Sequence, residues 1–217
     1  ARKRGFRSRT RGHRAGVKAV RNAATTAAEL HIHALTLYAF SEENWSRPAT
    51  EIRVLMNLLS KFLKDEIPEL MENNIRLIAS GRLSRLPDNC RKQLDETRKA
   101  TENNTGLILN LALSYGGRAE IVDAVRSIAR DVAQGKLKDR QIDEQLISRR
   151  LYQPELPDPD LIIRTSGEFR VSNFLIWEGA YAEYFITETL WPDFSKKDFL
   201  EALLDYQKRE RRFGKVK

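Results

Sequence analysis

Cysteine is almost missing from these 217 residues. Cys90 stands alone, which excludes an intrachain disulfide framework and a cysteine-rich zinc site. Histidine is scarce as well: His13, His31 and His33 are too few for a histidine-based metal cluster. No apolar run approaches the roughly 18 residues that a bilayer-spanning helix needs. The basic beginning has no apolar stretch behind it, so it does not read as a secretory signal. Internal repeats, low-complexity tracts, a Walker A loop and a GxGxxG fingerprint are also wanting, which leaves nucleotide binding without support. Acid is absent from one end. Residues 1–21 carry nine basic side chains and no carboxylate, and removing them leaves 29 basic against 30 acidic of the chain's 38 and 30. The net charge of +8 is therefore a local block on a neutral body, as suits a polyanion or the phosphates of a ligand, and equally a solvated tail.

What is present is an ordinary globular composition, 41% hydrophobic and 31% charged, at a length that suits one domain. Short apolar runs alternate with helical patterns. Leu35–Phe40, Ile75–Ser80, Leu107–Ser114 and Leu161–Arg164 have strand length, and the first and third are nearly continuously apolar, as strands covered on both faces are. Between them, Thr50–Met71 spaces Ile52, Leu55, Met56, Leu59, Phe62, Leu63 and Ile67 at three and four residues, a wide apolar stripe. Leu86–Thr101, Ala119–Ala133 and Asp198–Tyr206 repeat that period. Strands separated by helices predict parallel pairing through crossovers. The expected class is α/β: one domain over residues 1–217, a mostly parallel sheet of about six strands flanked by helices, with residues 1–21 leading into the first helix.

Ligands of open parallel sheets bind beyond the carboxyl ends of the strands, and two such ends carry polar clusters here. One is Ser41-Glu42-Glu43-Asn44-Trp45-Ser46-Arg47-Pro48; the other runs from Thr165 to Asn173, with Arg164 and Arg170 flanking a small-residue turn and Ser172 expected near a helix start. Guanidinium forks, hydroxyls and helix N-terminal N–H groups suit a phosphate or diphosphate, although Ser172 could equally be only an N-cap and the arginines could pair with acids. Glu183, ahead of Tyr184-Phe185-Ile186, reads as a cation-holding carboxylate or as a surface residue at a strand start. His13 is expected at a helix start where it could donate to an anion, and Trp45 as core; His31 and His33 receive no role.

As a set these residues resemble a family. Ser41-x-Glu43-Asn44-Trp45-x-Arg47-Pro48, Asn110 with Tyr115-Gly116-Gly117-Arg118, Arg164-Thr165-Ser166-Gly167-Glu168-x-Arg170-x-Ser172-Asn173-Phe174, Ala182-Glu183 with Trp191-Pro192-Asp193-Phe194, and Arg209-x-Arg211-Arg212-Phe213-Gly214 look like the ordered signatures of cis-prenyltransferases, most like the bacterial undecaprenyl diphosphate synthases. Almost the whole chain is covered. Three departures stand out: the family's Asp-Gly-Asn-Gly-Arg-Trp-Ala motif, whose Asp is taken to hold magnesium and diphosphate, has no counterpart in these residues; Phe169 replaces a His of some members; and the basic segment ending in Arg9-x-x-Gly12-His13 is one residue longer than usual.

The resemblance implies cis elongation of farnesyl diphosphate by isopentenyl diphosphate to a long undecaprenyl-type lipid-carrier precursor, inside an apolar tunnel. Arg9 and His13 would face the allylic diphosphate, and Arg164, Arg170, Val171 and Ser172 the isopentenyl diphosphate. Ser41, Glu42, Glu43, Trp45 and Arg47 would belong to a substrate-binding loop over the site, with Asn44 as its catalytic member. Glu183 would hold Mg2+, reaching across a homodimer interface, and the tail at Arg212 and Gly214 would reach the partner subunit's site. The expected location is cytoplasmic, at the membrane surface where the product resides, with no nucleic-acid partner. Without the Asp motif, these residues alone are expected to bind prenyl diphosphates yet turn over slowly. Two rival readings remain: an inactive partner subunit of the same fold, and a basic-arm nucleic-acid-binding module.

Overall fold

The computed structural model describes residues 9–212. Twelve regular elements follow one another: α1 (Arg9–Glu29), β1 (Ala34–Ser41), α2 (Ala49–Asp65), α3 (Ile67–Glu72), β2 (Arg76–Ser80), α4 (Asp88–Ala100), β3 (Ile108–Tyr115), α5 (Gly117–Ala133), α6 (Glu144–Ser148), β4 (Leu161–Arg164), β5 (Glu183–Ile186) and α7 (Lys196–Gln207). Short 3-10 turns at Glu42–Ser46, Leu83–Arg85, Glu178–Tyr181 and Trp191–Asp193 join them.

All strand pairing is parallel, as the alternation predicts. The order in one sheet is β1-β3-β2, and β4 pairs β5 in a second. Central β3 is buried along its whole length, with Leu109, Leu111 and Leu113 at the middle of the core. Two expectations need correction. The described residues hold five strands in two sheets rather than about six in one: β1 and β4 each have an edge with no strand partner, and residues of both line a cavity. For the same reason β1, expected to be covered on both faces, is only half-buried.

The long stripe helix is interrupted. α2 ends at Asp65 and α3 begins at Ile67 with Pro68 in its first turn, where a proline lacks the N–H that a continuous helix would need. Glu66 at this joint is buried and is held by the Arg21 guanidinium, Nε to Oε2 at 2.9 Å, which ties α1 to the break. Along α1, Ala19, Ala23 and Ala27 give a small-residue face that lets the helix pack closely. The stripe also splits by direction: Met56 and Leu63 are buried in the core, while Leu55, Leu58 and Leu59 line the cavity. Among the described residues no helix is long and apolar enough to cross a membrane.

Candidate active site

The carboxyl ends of β1, β3 and β4 meet. After β1, the Ser41 N–H donates to Asn44 Oδ1 at 3.2 Å, so Asn44 closes its own 3-10 turn. The Trp45 indole N–H donates to Ser114 Oγ at 2.8 Å at the end of β3, and its ring meets Phe40 edge-on at 4.9 Å. Asn173, in the loop after β4, donates from Nδ2 to Glu43 at 2.8 Å, and the Tyr38 ring stacks on Phe174 at 4.6 Å. The β4 loop thus lies over the other two strand ends.

That loop is held in a demanding backbone conformation. Ser166, Ser172, Asn173 and Leu175 have positive φ, which costs of order 1–3 kcal/mol each and persists only where surroundings enforce it. The enforcement is visible: the Ser166 and Gly167 N–H groups donate to the Thr189 and Thr187 carbonyls at 2.9 Å, and the Gly117 N–H donates to the Asn173 carbonyl at 2.8 Å. Gly167, at φ +64°, holds a left-handed conformation that favours glycine, and a Cβ there would fall 2.4 Å from the Glu188 carboxylate, which would have to swing aside. Ser172 therefore does not cap a helix as expected. It sits at φ +54° in this loop, and the next element is the 3-10 turn at Glu178.

Beneath the loops lies a cavity of about 1300 Å³. Its apolar wall comes from α1, β1 and α2, through residues such as Val20, Ala39, Leu55, Leu59 and Phe62; its charged lining is Arg47, Glu51, Arg164 and Arg170. Arg47 pairs with Glu51 at 3.2 Å and Arg170 with Glu168. Arg164 differs. Its Nη2 reaches Ser172 Oγ only at 3.4 Å, its Nε is buried without a hydrogen-bond partner, and no carboxylate among the described residues neutralises it. A half-buried guanidinium with no carboxylate partner, facing a cavity, is suited to an anion.

Of the residues expected to form one site, Arg47, Arg164, Arg170 and Val171 line this cavity, and Ser172 touches it through Arg164. Ser41, Glu42, Glu43, Asn44 and Trp45 lie beside it but are outside its wall. His13 is not at a helix start, since α1 already runs from Arg9; the side chains of Arg9 and His13, and the whole of Gly214, lie outside the described residues. Arg212 is exposed, 3.7 Å from Glu210. Glu183 starts β5 opposite Leu161, three residue steps or about 10 Å along the strands from the Arg164 end. Its Oε2 accepts from Arg209 at 2.7 Å. Sequence reading passed over Tyr38 and Glu51; a sufficient signal for Glu51 was its position one helical turn after Arg47.

Magnesium, implied by the resemblance, finds no ready set here. Among the described residues no group of three His, Cys, Asp or Glu side chains could hold a metal, and Glu183 is already neutralised by Arg209. These residues do not fit the ion.

Behind the site, Glu120 and Glu178 form a buried carboxyl pair. The Glu120 carboxylate accepts from the Tyr115 hydroxyl at 2.5 Å and the Tyr152 N–H at 2.9 Å, while Glu178 Oε2 is buried without a partner. Burial, and then the charge of Glu120, push the Glu178 carboxyl up to about 7. The folded protein then binds a proton that the unfolded chain releases above its ordinary value of 4.5, so stability falls as pH rises from about 4.5 to 7 and levels off beyond. Glu178→Gln removes that slope and is expected to stabilise the protein more at pH 8 than at pH 5. Urea unfolding of both proteins at pH 5 and pH 8 checks this; equal midpoint differences at the two pH values would mean that Glu178 does not titrate there.

The fold and the cavity define an α/β protein that presents arginines at the head of an apolar chamber. The family model for undecaprenyl diphosphate synthase matches residues 1–214. The isoprenyl transferase of Heliobacterium mobile is 50% identical over 217 residues, 100% of this chain and 83% of that protein, and that of Streptococcus pyogenes serotype M1 is 50% identical over 218 residues, 99% and 88%. Among solved structures, the lavandulyl diphosphate synthase of Lavandula x intermedia, crystallised with dimethylallyl diphosphate, superposes with a TM-score of 0.96 at 36% identity, covering 99% of this chain and 92% of that one. A probable undecaprenyl diphosphate synthase of Campylobacter jejuni gives 0.81 at 38% identity, covering 93% and 92%. The chain belongs to the undecaprenyl diphosphate synthase family of cis-prenyltransferases, and it is a prenyltransferase.

Proposed function

We propose that this chain condenses isopentenyl diphosphate onto farnesyl diphosphate, repeatedly and in cis, to a long polyprenyl diphosphate. The observation that carries the reading is Arg164, without a carboxylate partner among the described residues, in the wall of a cavity that also has an apolar wall from α1, β1 and α2. An allylic diphosphate has the same two-part character. In each cycle the bond from allylic C1 to the diphosphate oxygen breaks, C1 joins C4 of the isopentenyl unit, and loss of the C2 proton forms the new double bond. Negative charge grows on the departing diphosphate, and fixed guanidinium donors in a water-poor pocket stabilise it at no cost of reorganisation.

In this reading Arg164, Arg170, Val171 and Ser172 hold the isopentenyl diphosphate, and Arg47, with Arg9 and His13 from α1, faces the allylic one. The apolar wall along α2 takes up the hydrocarbon, each buried CH₂ contributing about 0.8 kcal/mol. Asn44 and Ser41 shape the turn over the site; Asn44 is the candidate for receiving the C2 proton, a role for which an amide is weakly basic. The separation of Glu183 from Arg164 within one chain supports a homodimer in which Glu183 and the tail at Arg212 and Gly214 serve the partner's site. Work at the cytoplasmic membrane surface follows from the product's apolar chain.

The test is incubation of the protein with farnesyl diphosphate, radiolabelled isopentenyl diphosphate and magnesium, with products separated by chain length. A ladder that builds slowly toward long polyprenyl products is expected. Binding of both substrates with no elongation would instead favour the inactive-partner reading.

A further inference from the structure

Glu42 is turned away from the cavity, and what it meets carries an inference. Its carboxylate, 13% exposed, is paired with Arg85, lies 3.7 Å from Arg82 and accepts from Ser114 Oγ at 3.3 Å. Arg85 also places its guanidinium 5.1 Å from the centre of the Trp45 ring, a cation–π contact on the same turn. Arg82 is anchored in turn: its fork is bidentate on Asp123 at 2.8 and 2.9 Å, and Asp123 accepts from the Tyr152 hydroxyl at 2.7 Å. Two arginines from the turn after β2 therefore grip the turn after β1 at Glu42 and Trp45. Arg47, which lines the cavity, closes that same turn through its N–H to the Asn44 carbonyl at 3.1 Å.

Local backbone geometry makes the grip possible. Gly81, at φ +116°, brings the Arg82–Arg85 segment so close to the end of β3 that a Cβ there would lie 2.1 Å from the Leu113 carbonyl oxygen. Ser114, fully buried at φ +47°, serves Trp45 and Glu42 together. Neither arginine reaches the cavity wall.

We propose that Arg85, braced by Arg82, is a positioning residue: it latches the Glu42–Ser46 turn through Glu42 and Trp45 and so holds Arg47 where the allylic diphosphate binds. This rests on the reading of Arg47 given above. Released from its latch, the turn spends only part of its time in the binding arrangement, and apparent affinity falls by that fraction. An exposed ion pair without such a role is worth less than a few-fold.

The experiment is calorimetric titration of the protein with farnesyl diphosphate alone, for wild type, Arg85→Met, Arg85→Lys, Glu42→Gln and the Arg85→Met/Glu42→Gln double variant, with the thermal midpoint of each. The expected Kd rises about tenfold in Arg85→Met and in Glu42→Gln. The double variant is no worse than either single one, because both release the same turn, and Arg85→Lys recovers part of the loss. Thermal midpoints alone moving, Kd values within twofold of wild type, or additive losses would each overturn the latch. A wild type that binds but does not elongate defeats the elongation reading and leaves the Kd comparison to decide the latch; a wild type that does not bind defeats both.

Discussion

Arg164→Lys is expected to lower kcat/KM for isopentenyl diphosphate about 100-fold while leaving the thermal midpoint unchanged. The guanidinium presents a planar fork that meets two diphosphate oxygens at once, whereas an ammonium is a single point charge that is more strongly hydrated. Losing one well-placed donor at a developing oxyanion costs about 2.7–4 kcal/mol in comparable sites, which gives the stated factor. Stability is spared because no carboxylate among the described residues depends on Arg164, so nothing is orphaned by its removal. Arg170→Lys should cost less, roughly tenfold, since its side chain is 60% exposed and already shared with Glu168. Steady-state kinetics at saturating allylic substrate decides both. Values near wild type for the two variants would remove these arginines from the site.

Product length should respond to Ala39→Leu. Ala39 lies near the end of β1 and is exposed to the cavity, whose lining also includes Leu55 and Leu59 of α2. A leucine there adds three carbons to the wall, and a growing chain that loses cavity length loses about 0.8 kcal/mol for every CH₂ it can no longer bury. The first condensations need little depth and should survive, so the distribution shifts to shorter products without loss of total turnover. Thin-layer separation of radiolabelled products reads this directly. An unchanged distribution would place Ala39 off the path of the chain.

The contrast between these two residues and Glu42 is instructive about what a sequence carries. Arg164 and Arg170 were found from their place after an apolar strand run, and Ala39 from its place in one; both inferences need only the local order of the chain. Glu42 is in the same motif as Arg47, yet one faces Arg85 and the other the cavity. No spacing rule says which way the first residue of a 3-10 turn and the residue that caps it will face.

Four strands, the parallel pairing and the main helices were legible because periodicity is a local property: an apolar run marks a strand and a three-to-four spacing marks a helix whatever lies across from it. The break before Pro68 was not read, because the apolar spacing of Thr50–Met71 runs on through it. Recognition of the family came from ordered motifs, and the comparisons bear it out. Tertiary structure alone decided which strand edges stay apart, that Ser172 lies in a left-handed turn instead of at a helix start, that Glu183 is about 10 Å from the arginines, and that Arg82 and Arg85 reach back to the first loop. Each depends on contacts between residues far apart in the chain, where several partners of similar chemistry compete and only the packed fold selects one.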